Sequence, residues 1–253
     1  MKIAISGKGG VGKTTISAAI IKRFAQDYNV FAVDADPDIS LGSVLGFPED
    51  KVLALPPIVD MKGLIEEKLG GNGAYYSLNP KVDDVLENYS IKHGNIRLLK
   101  MGAVKKGGSA CYCKENTFLN ALLKSLIVSS EDVVLLDMGA GIEHLTRGTA
   151  KGVDIMLIVT EPSKVSVATA KVIAKLAREI GVQNIIFIAN KIRKTEEIDF
   201  LKSNLEGEKL IGSIPFLDEV LDMAMGKNVN EIPALNAAID KIYQELHNCR
   251  VNN

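Results

Sequence analysis

Close to the amino terminus, Gly7-Lys8-Gly9-Gly10-Val11-Gly12-Lys13-Thr14 satisfies G-x-x-x-x-G-K-[ST]. The motif lies between an apolar run that reads as a strand and a stretch of helical period, the context it requires. Glycines let successive backbone N–H groups turn toward one anion, and the helix that follows adds the positive end of its dipole. The chemistry predicted is the holding of a nucleoside triphosphate, with Lys13 reaching the β- and γ-phosphates and the Thr14 hydroxyl ligating Mg²⁺. Lys8 is a second lysine in the same loop. A triphosphate carries about −4 and one Mg²⁺ leaves about −2, so two lysines would balance it. One loop cannot easily bring both to the same phosphates, and a lysine delivered from a second subunit fits better.

Carboxylates follow at two predicted strand ends, where open α/β sheets build their sites. In Val33-Asp34-Ala35-Asp36-Pro37-Asp38, Asp34 and Asp36 are two apart and share a face of an extended segment. One could hold Mg²⁺-bound water and the other orient the attacking water; the alternative is a set of polar turn residues capping a helix. Leu135-Leu136-Asp137-Met138-Gly139-Ala140-Gly141 is a Walker-B arrangement with Asp137 near Mg²⁺, often through water. Gly139 and Gly141 would let that loop rearrange when the γ-phosphate leaves. His144 reads as a cap or surface residue. Ile188-Ala189-Asn190-Lys191 ends another strand, where the Asn190 amide could pair with adenine or simply suit a turn.

The chain has three cysteines, Cys111, Cys113 and Cys249, which is no disulfide framework. In an extended Cys111-Tyr112-Cys113 segment both thiolates can point the same way. Two sulfurs leave a soft metal short, since structural zinc takes four ligands, but a two-fold dimer would bring four together at its axis. Lys105, Lys106 and Lys114 could offset the charge and lower the thiol pKa values. Square-planar geometry would favour Ni²⁺ and tetrahedral geometry Zn²⁺. The competing readings are an inert pair or a strained local disulfide. Cys249 reads as incidental.

The elements that must position these groups alternate. Lys2–Ser6, Val30–Val33, Ile96–Met101, Val133–Asp137, Ile155–Val159, Ile185–Ala189 and Leu210–Ile214 read as strands, mostly unbroken in Val, Ile and Leu, as in a parallel sheet covered on both faces. Lys13–Tyr28, Glu115–Val128, Ser163–Ile180, Thr195–Leu205 and Ala234–Leu246 read as helices. The expected fold is α/β: one domain over 1–253, a doubly wound, mostly parallel sheet of about seven strands. An irregular insertion is expected at about 41–95, with a helix near Asp60–Leu69, and a C-x-C metal loop at about 105–115. The 253 residues carry 30 Lys and Arg against 31 Asp and Glu, for a net charge of −1. That balance argues against a bulk polybasic nucleic-acid or membrane binder. No apolar run approaches a membrane span of about 18 residues, and the amino terminus runs straight into the glycine motif, so a cytoplasmic protein is expected.

Lys8-Gly9-Gly10-Val11-Gly12-Lys13-Thr14-Thr15 resembles the deviant Walker A loop of the dimeric ATPases that include nitrogenase iron protein, the arsenite-pump ATPase and the division-site and partition ATPases. The resemblance implies ATP/ADP and Mg²⁺ as ligands, with Gly7 through Thr15 around the phosphates. It implies that Lys8 crosses to the partner's nucleotide, that Asp36 positions or activates water, and that Asn190 and Pro215 lie beside the base. With C-x-C added, the chain is similar to the narrower CooC-type maturation ATPases. That likeness implies a homodimer linked by nucleotide and metal, Ni²⁺ (or Zn²⁺) shared by Cys111 and Cys113 of both copies, and carbon monoxide dehydrogenase as client. Nitrogenase iron protein does not hold its cluster by a C-x-C pair, so an Fe–S reductase is the weaker alternative. A spatial switch on membrane or DNA is another, disfavoured because Asp240–Asn253 makes a poor anchor.

Overall fold

The computed structural model describes residues 1–36, 41–70, 77–78, 80–102, 113–126, 131–139, 153–229 and 231–251. The chain runs β1 (Lys2–Gly7), α1 (Lys13–Phe24), β2 (Asn29–Ala35), α2 (Leu41–Leu45), α3 (Glu49–Ala54), a 3₁₀ turn (Ile58–Asp60), α4 (Lys62–Leu69) and α5 (Asp83–Asn88). Then come β3 (Ile91–His93), β4 (Ile96–Lys100), α6 (Cys113–Ser125), β5 (Asp132–Met138), β6 (Ile155–Thr160) and α7 (Lys164–Glu179). The last elements are β7 (Asn184–Ile192), α8 (Thr195–Asn204), β8 (Lys209–Pro215), α9 (Asp218–Ala224) and α10 (Pro233–Val251).

The strands form one sheet in the order β3-β4-β2-β5-β1-β6-β7-β8. Every neighbouring pair is parallel except β3 with β4. Seven of the eight strands are those expected from apolar runs; the eighth, β3, is three residues long and joins β4 through Gly94 and Asn95, with Gly94 at φ 57°. Gly-Asn is a recognised two-residue hairpin signal. The segment 41–95 contains α2 to α5 and β3, with α4 where the sequence places a helix.

Burial separates into two apolar layers. Ile16, Ile20 and Phe24 of α1, together with Ile239, Ile242 and Leu246 of α10, pack on one face of the sheet. Phe118 and Leu122 of α6, Val167 and Ile173 of α7, and Leu201 of α8 cover the other. Strands covered twice need no polar face, hence β6 reads Ile-Met-Leu-Ile-Val-Thr and is buried throughout. Because the central strands are parallel, the carboxyl ends of β1, β2, β5, β6 and β7 reach one edge, and that edge carries the polar residues. No helix among the described residues is long and apolar enough to cross a membrane.

Candidate functional site

The phosphate loop leaves β1 at Gly7 and enters α1 at Lys13. Gly12 is the residue before the helix, at φ 95°, and gives the first-turn amides no side-chain cap; the first turn holds no acidic residue. The opening N–H groups of α1 therefore point toward the loop with their positive charge uncompensated, which is an anion site. A Cβ on Gly12 would lie 2.5 Å from Asn190 Nδ2, and one on Gly7 would lie 2.3 Å from the Val159 carbonyl oxygen. Gly7 is thus required by close approach to backbone, and Gly12 by its left-handed φ. Val11 is buried, Gly9 and Gly10 are exposed, and Thr14 and Thr15 are half-buried. Lys13 is buried, and its ammonium donates to the Lys8 carbonyl at 3.4 Å, folding the side chain back along the loop.

On the β2–β5 side the structure brings the carboxylates together. Asp34 and Asp137 are register partners on adjacent strands, and both are buried. Ser17 of α1 donates to Asp137 Oδ1 at 2.8 Å, while Oδ2 is buried with no hydrogen-bond partner among the described residues. Burial pushes the Asp137 carboxyl above the ordinary range, with Ser17, Thr14 and Lys13 pulling it back. Asp34 accepts from the backbone N–H of Asp36 at 3.4 Å and of Leu41 at 3.2 Å. Burial first, and the neighbouring Asp137 second, push its carboxyl up to about 7. An orphaned, buried carboxylate oxygen beside Thr14 is what a hard divalent cation takes, so the residues fit Mg²⁺.

On the β6–β7 side the loop is braced by an asparagine and a lysine. Asn190 donates from its amide nitrogen to the Val11 carbonyl at 2.7 Å, and Lys191 donates to the Gly10 carbonyl at 2.7 Å. Lys191 has φ 61°, the one non-glycine positive φ among the described residues, a conformation that persists where surrounding contacts enforce it. Glu161, just past β6, pairs with Lys191 at 3.2 Å and with Lys8 at 4.0 Å. Pro215 ends β8, and beyond it the Arg193 guanidinium stacks over Phe216 at 3.9 Å.

Sequence reading missed Ser17, Glu161 and Lys191. Ser17 had a signal, being one helical turn past Lys13 and so on the same face. Cys111, Pro37, Asp38, His144, Ala140 and Gly141 lie outside the described residues, as does the expected metal loop but for its end, where Cys113 opens α6.

Residues 2–229 match the family model for the CobQ/CobB/MinD/ParA nucleotide binding domain. The carbon monoxide dehydrogenase accessory protein CooC of Rhodospirillum rubrum is 42% identical over 220 residues, covering 85% of this chain and 84% of its own. An ATP-binding protein of Methanocaldococcus jannaschii is 40% identical over 252 residues, covering 96% of each. Among solved structures, the MinC:MinD cell division complex of Aquifex aeolicus superposes with a TM-score of 0.66 at 25% identity, over 98% of this chain and 96% of that one. The chain belongs to the CobQ/CobB/MinD/ParA nucleotide-binding family, as a CooC-type P-loop ATPase that hydrolyses ATP.

Proposed function

We propose that this ATPase works as a homodimer that assists nickel insertion into carbon monoxide dehydrogenase. One observation carries the reading: the likeness over most of the chain to a protein named as an accessory of that enzyme, in a chain that also holds Cys111-Tyr112-Cys113. Nickel is the cargo, held by the two cysteines of each copy, because soft thiolates select such an ion and a two-fold axis doubles their number.

The phosphates lie on the amides that open α1, with Lys13 along the β- and γ-phosphates. Lys8 leaves Glu161 and reaches the partner's nucleotide. Thr14, with Asp137 through water, would hold Mg²⁺, which supplies neutralisation of charge on the phosphate oxygens. Asp36 orients water toward the γ-phosphorus; the water oxygen bonds to phosphorus as the bond to the ADP oxygen breaks, and the water's two protons leave with the transferred group, giving ADP and dihydrogen phosphate. Asn190 and Pro215 lie beside the base. Most of the rate comes from positioning and charge neutralisation. Closure driven by ATP and closure driven by metal are then linked, each favouring the other.

The test is anaerobic nickel titration with and without ATP, followed by absorption and sizing. The expected result is nickel–thiolate bands appearing together with dimer. Cys111→Ser combined with Cys113→Ser should abolish metal-linked dimerisation and leave ATP binding intact. Tight nickel binding that survives in the double variant would remove the metal assignment.

A further inference from the structure

Three charged side chains stand in one row across three adjacent strands. Lys100 of β4 is the register partner of Asp34 on β2, and Asp34 is the register partner of Asp137 on β5. Alternation places them on the α1 face, in line with Leu98, Ala32 and Leu135 two residues earlier. All three are withdrawn from solvent, at 3%, 2% and 0% exposure. The Lys100 ammonium donates to the Val52 carbonyl near the end of α3, where the helix presents its negative pole. Among the described residues its other electrostatic partner is Asp34, which opposes the downward pull of burial on the lysine.

A lysine in this place is costly unless its charge is used. Neither the phosphate loop nor the expected metal loop includes it. The charge it faces is that of Asp34, the register partner of Asp137, whose Oδ2 has no partner among the described residues. Two buried carboxylates with an orphaned oxygen would by themselves attract any free divalent cation. An ammonium held on the neighbouring strand opposes a second positive charge there, because like charges repel strongly where little water screens them.

We propose that Lys100 is a positioning residue that acts through Asp34 as an internal counter-cation, keeping the Asp34–Asp137 pair from binding a free divalent ion, so that Mg²⁺ enters together with nucleotide. The bound triphosphate supplies the negative charge that outweighs the lysine. The site thereby distinguishes Mg²⁺–nucleotide from Mg²⁺ alone. This inference rests on the reading of Asp137 and Thr14 as the Mg²⁺ side of the nucleotide site.

The test is Mn²⁺ titration of nucleotide-free protein at pH 8, followed by loss of the free-ion electron paramagnetic resonance signal. Wild-type protein should bind Mn²⁺ weakly alone and far more tightly once ADP is added. Lys100→Gln keeps a donor for the Val52 carbonyl but removes the charge; it should bind Mn²⁺ alone on the order of tenfold more tightly or better. Lys100→Arg restores the charge and should restore weak binding. Folded Lys100→Gln protein, verified by ADP binding, that takes Mn²⁺ no more tightly than wild type would overturn the proposal. So would wild-type protein that binds Mn²⁺ equally well with and without ADP, a result that needs no variant. Failure of Mn²⁺ to join the wild-type ADP complex at all would instead remove the underlying Mg²⁺ assignment and the inference with it.

Discussion

The phosphate loop is flanked by two charged clusters of opposite character. Toward β2 and β5, Lys100, Asp34 and Asp137 are sealed from water, and one carboxylate oxygen has no partner among the described residues. Toward β6 and β7, Lys8, Glu161 and Lys191 have side chains 37%, 23% and 38% exposed and are already paired with one another. The sealed flank holds charge against its solvation preference and is arranged for a cation that compensates it. The open flank is satisfied as it stands, stores little energy, and can exchange partners at little cost. On the function proposed above, chemistry would belong to the first and reorganisation to the second.

The sharpest way to break this contrast is Asp137→Asn. The amide can keep the Ser17 contact while losing the charge, so hydrolysis should fall by a factor on the order of a hundred or more. The nucleotide-free fold should meanwhile gain stability, because a buried, partly unsatisfied carboxylate is removed. Single-turnover hydrolysis and thermal melts without ligand read the two effects separately. Lower activity accompanied by a lower melting temperature would show that Asp137 supports the fold rather than opposing it.

Much of that sealed flank was legible in the sequence, because apolar strands ending in aspartate are conspicuous: Val33-Asp34 and Leu136-Asp137 announce themselves. Lys100 did not, although it ends the run Ile96-Arg97-Leu98-Leu99-Lys100 in the same way. A lysine at a strand end looks like an exit to solvent, and its burial depends on α3 lying over it, a long-range fact. The open flank was half legible. Lys8 stands inside a motif, whereas Glu161 and Lys191 acquire meaning only when β6 and β7 are known to be neighbours. Strand β3 was missed because three residues, two of them exposed, carry no periodicity, even with Gly94-Asn95 beside them. The short helices α2, α3 and α9 offered too few turns for a pattern to emerge.

The next contrast is in pH dependence. Asp34 titrates at about 7 in the folded protein, against an ordinary value of 3.8. Between these values the folded state holds a proton that the unfolded chain has lost, so stability falls as pH rises from about 4 to about 7 and levels off above. At about 1.4 kcal/mol per unit the loss amounts to a few kcal/mol. Asp137, also shifted upward, adds in the same direction. Melting temperatures of nucleotide-free protein should therefore decline from pH 5 to 7.5. The decline should be shallower in Asp34→Asn and shallower again in wild type with Mg²⁺ and nucleotide, which favour the ionised carboxylates. An equal slope in all three would detach the pH dependence from this flank.

The smallest expected effect lies on the open flank. Glu161→Gln removes the charge that pairs Lys8 at 4.0 Å and Lys191 at 3.2 Å. Such half-exposed pairs contribute about 0.2–1 kcal/mol, and Lys191 keeps its bond to the Gly10 carbonyl. The β6–α7 turn is held independently, by Ser166 accepting from the Glu161 N–H at 3.1 Å and donating its own N–H to Ser163 Oγ at 3.2 Å. The melting temperature should thus move by about a degree or two. Nucleotide binding should strengthen by a few-fold, because an anion beside the cradle has been neutralised. Both shifts should fade in high salt, where exposed charges are screened. A large, salt-independent loss of stability would place Glu161 among the buried, structurally committed charges and erase the distinction between the two flanks.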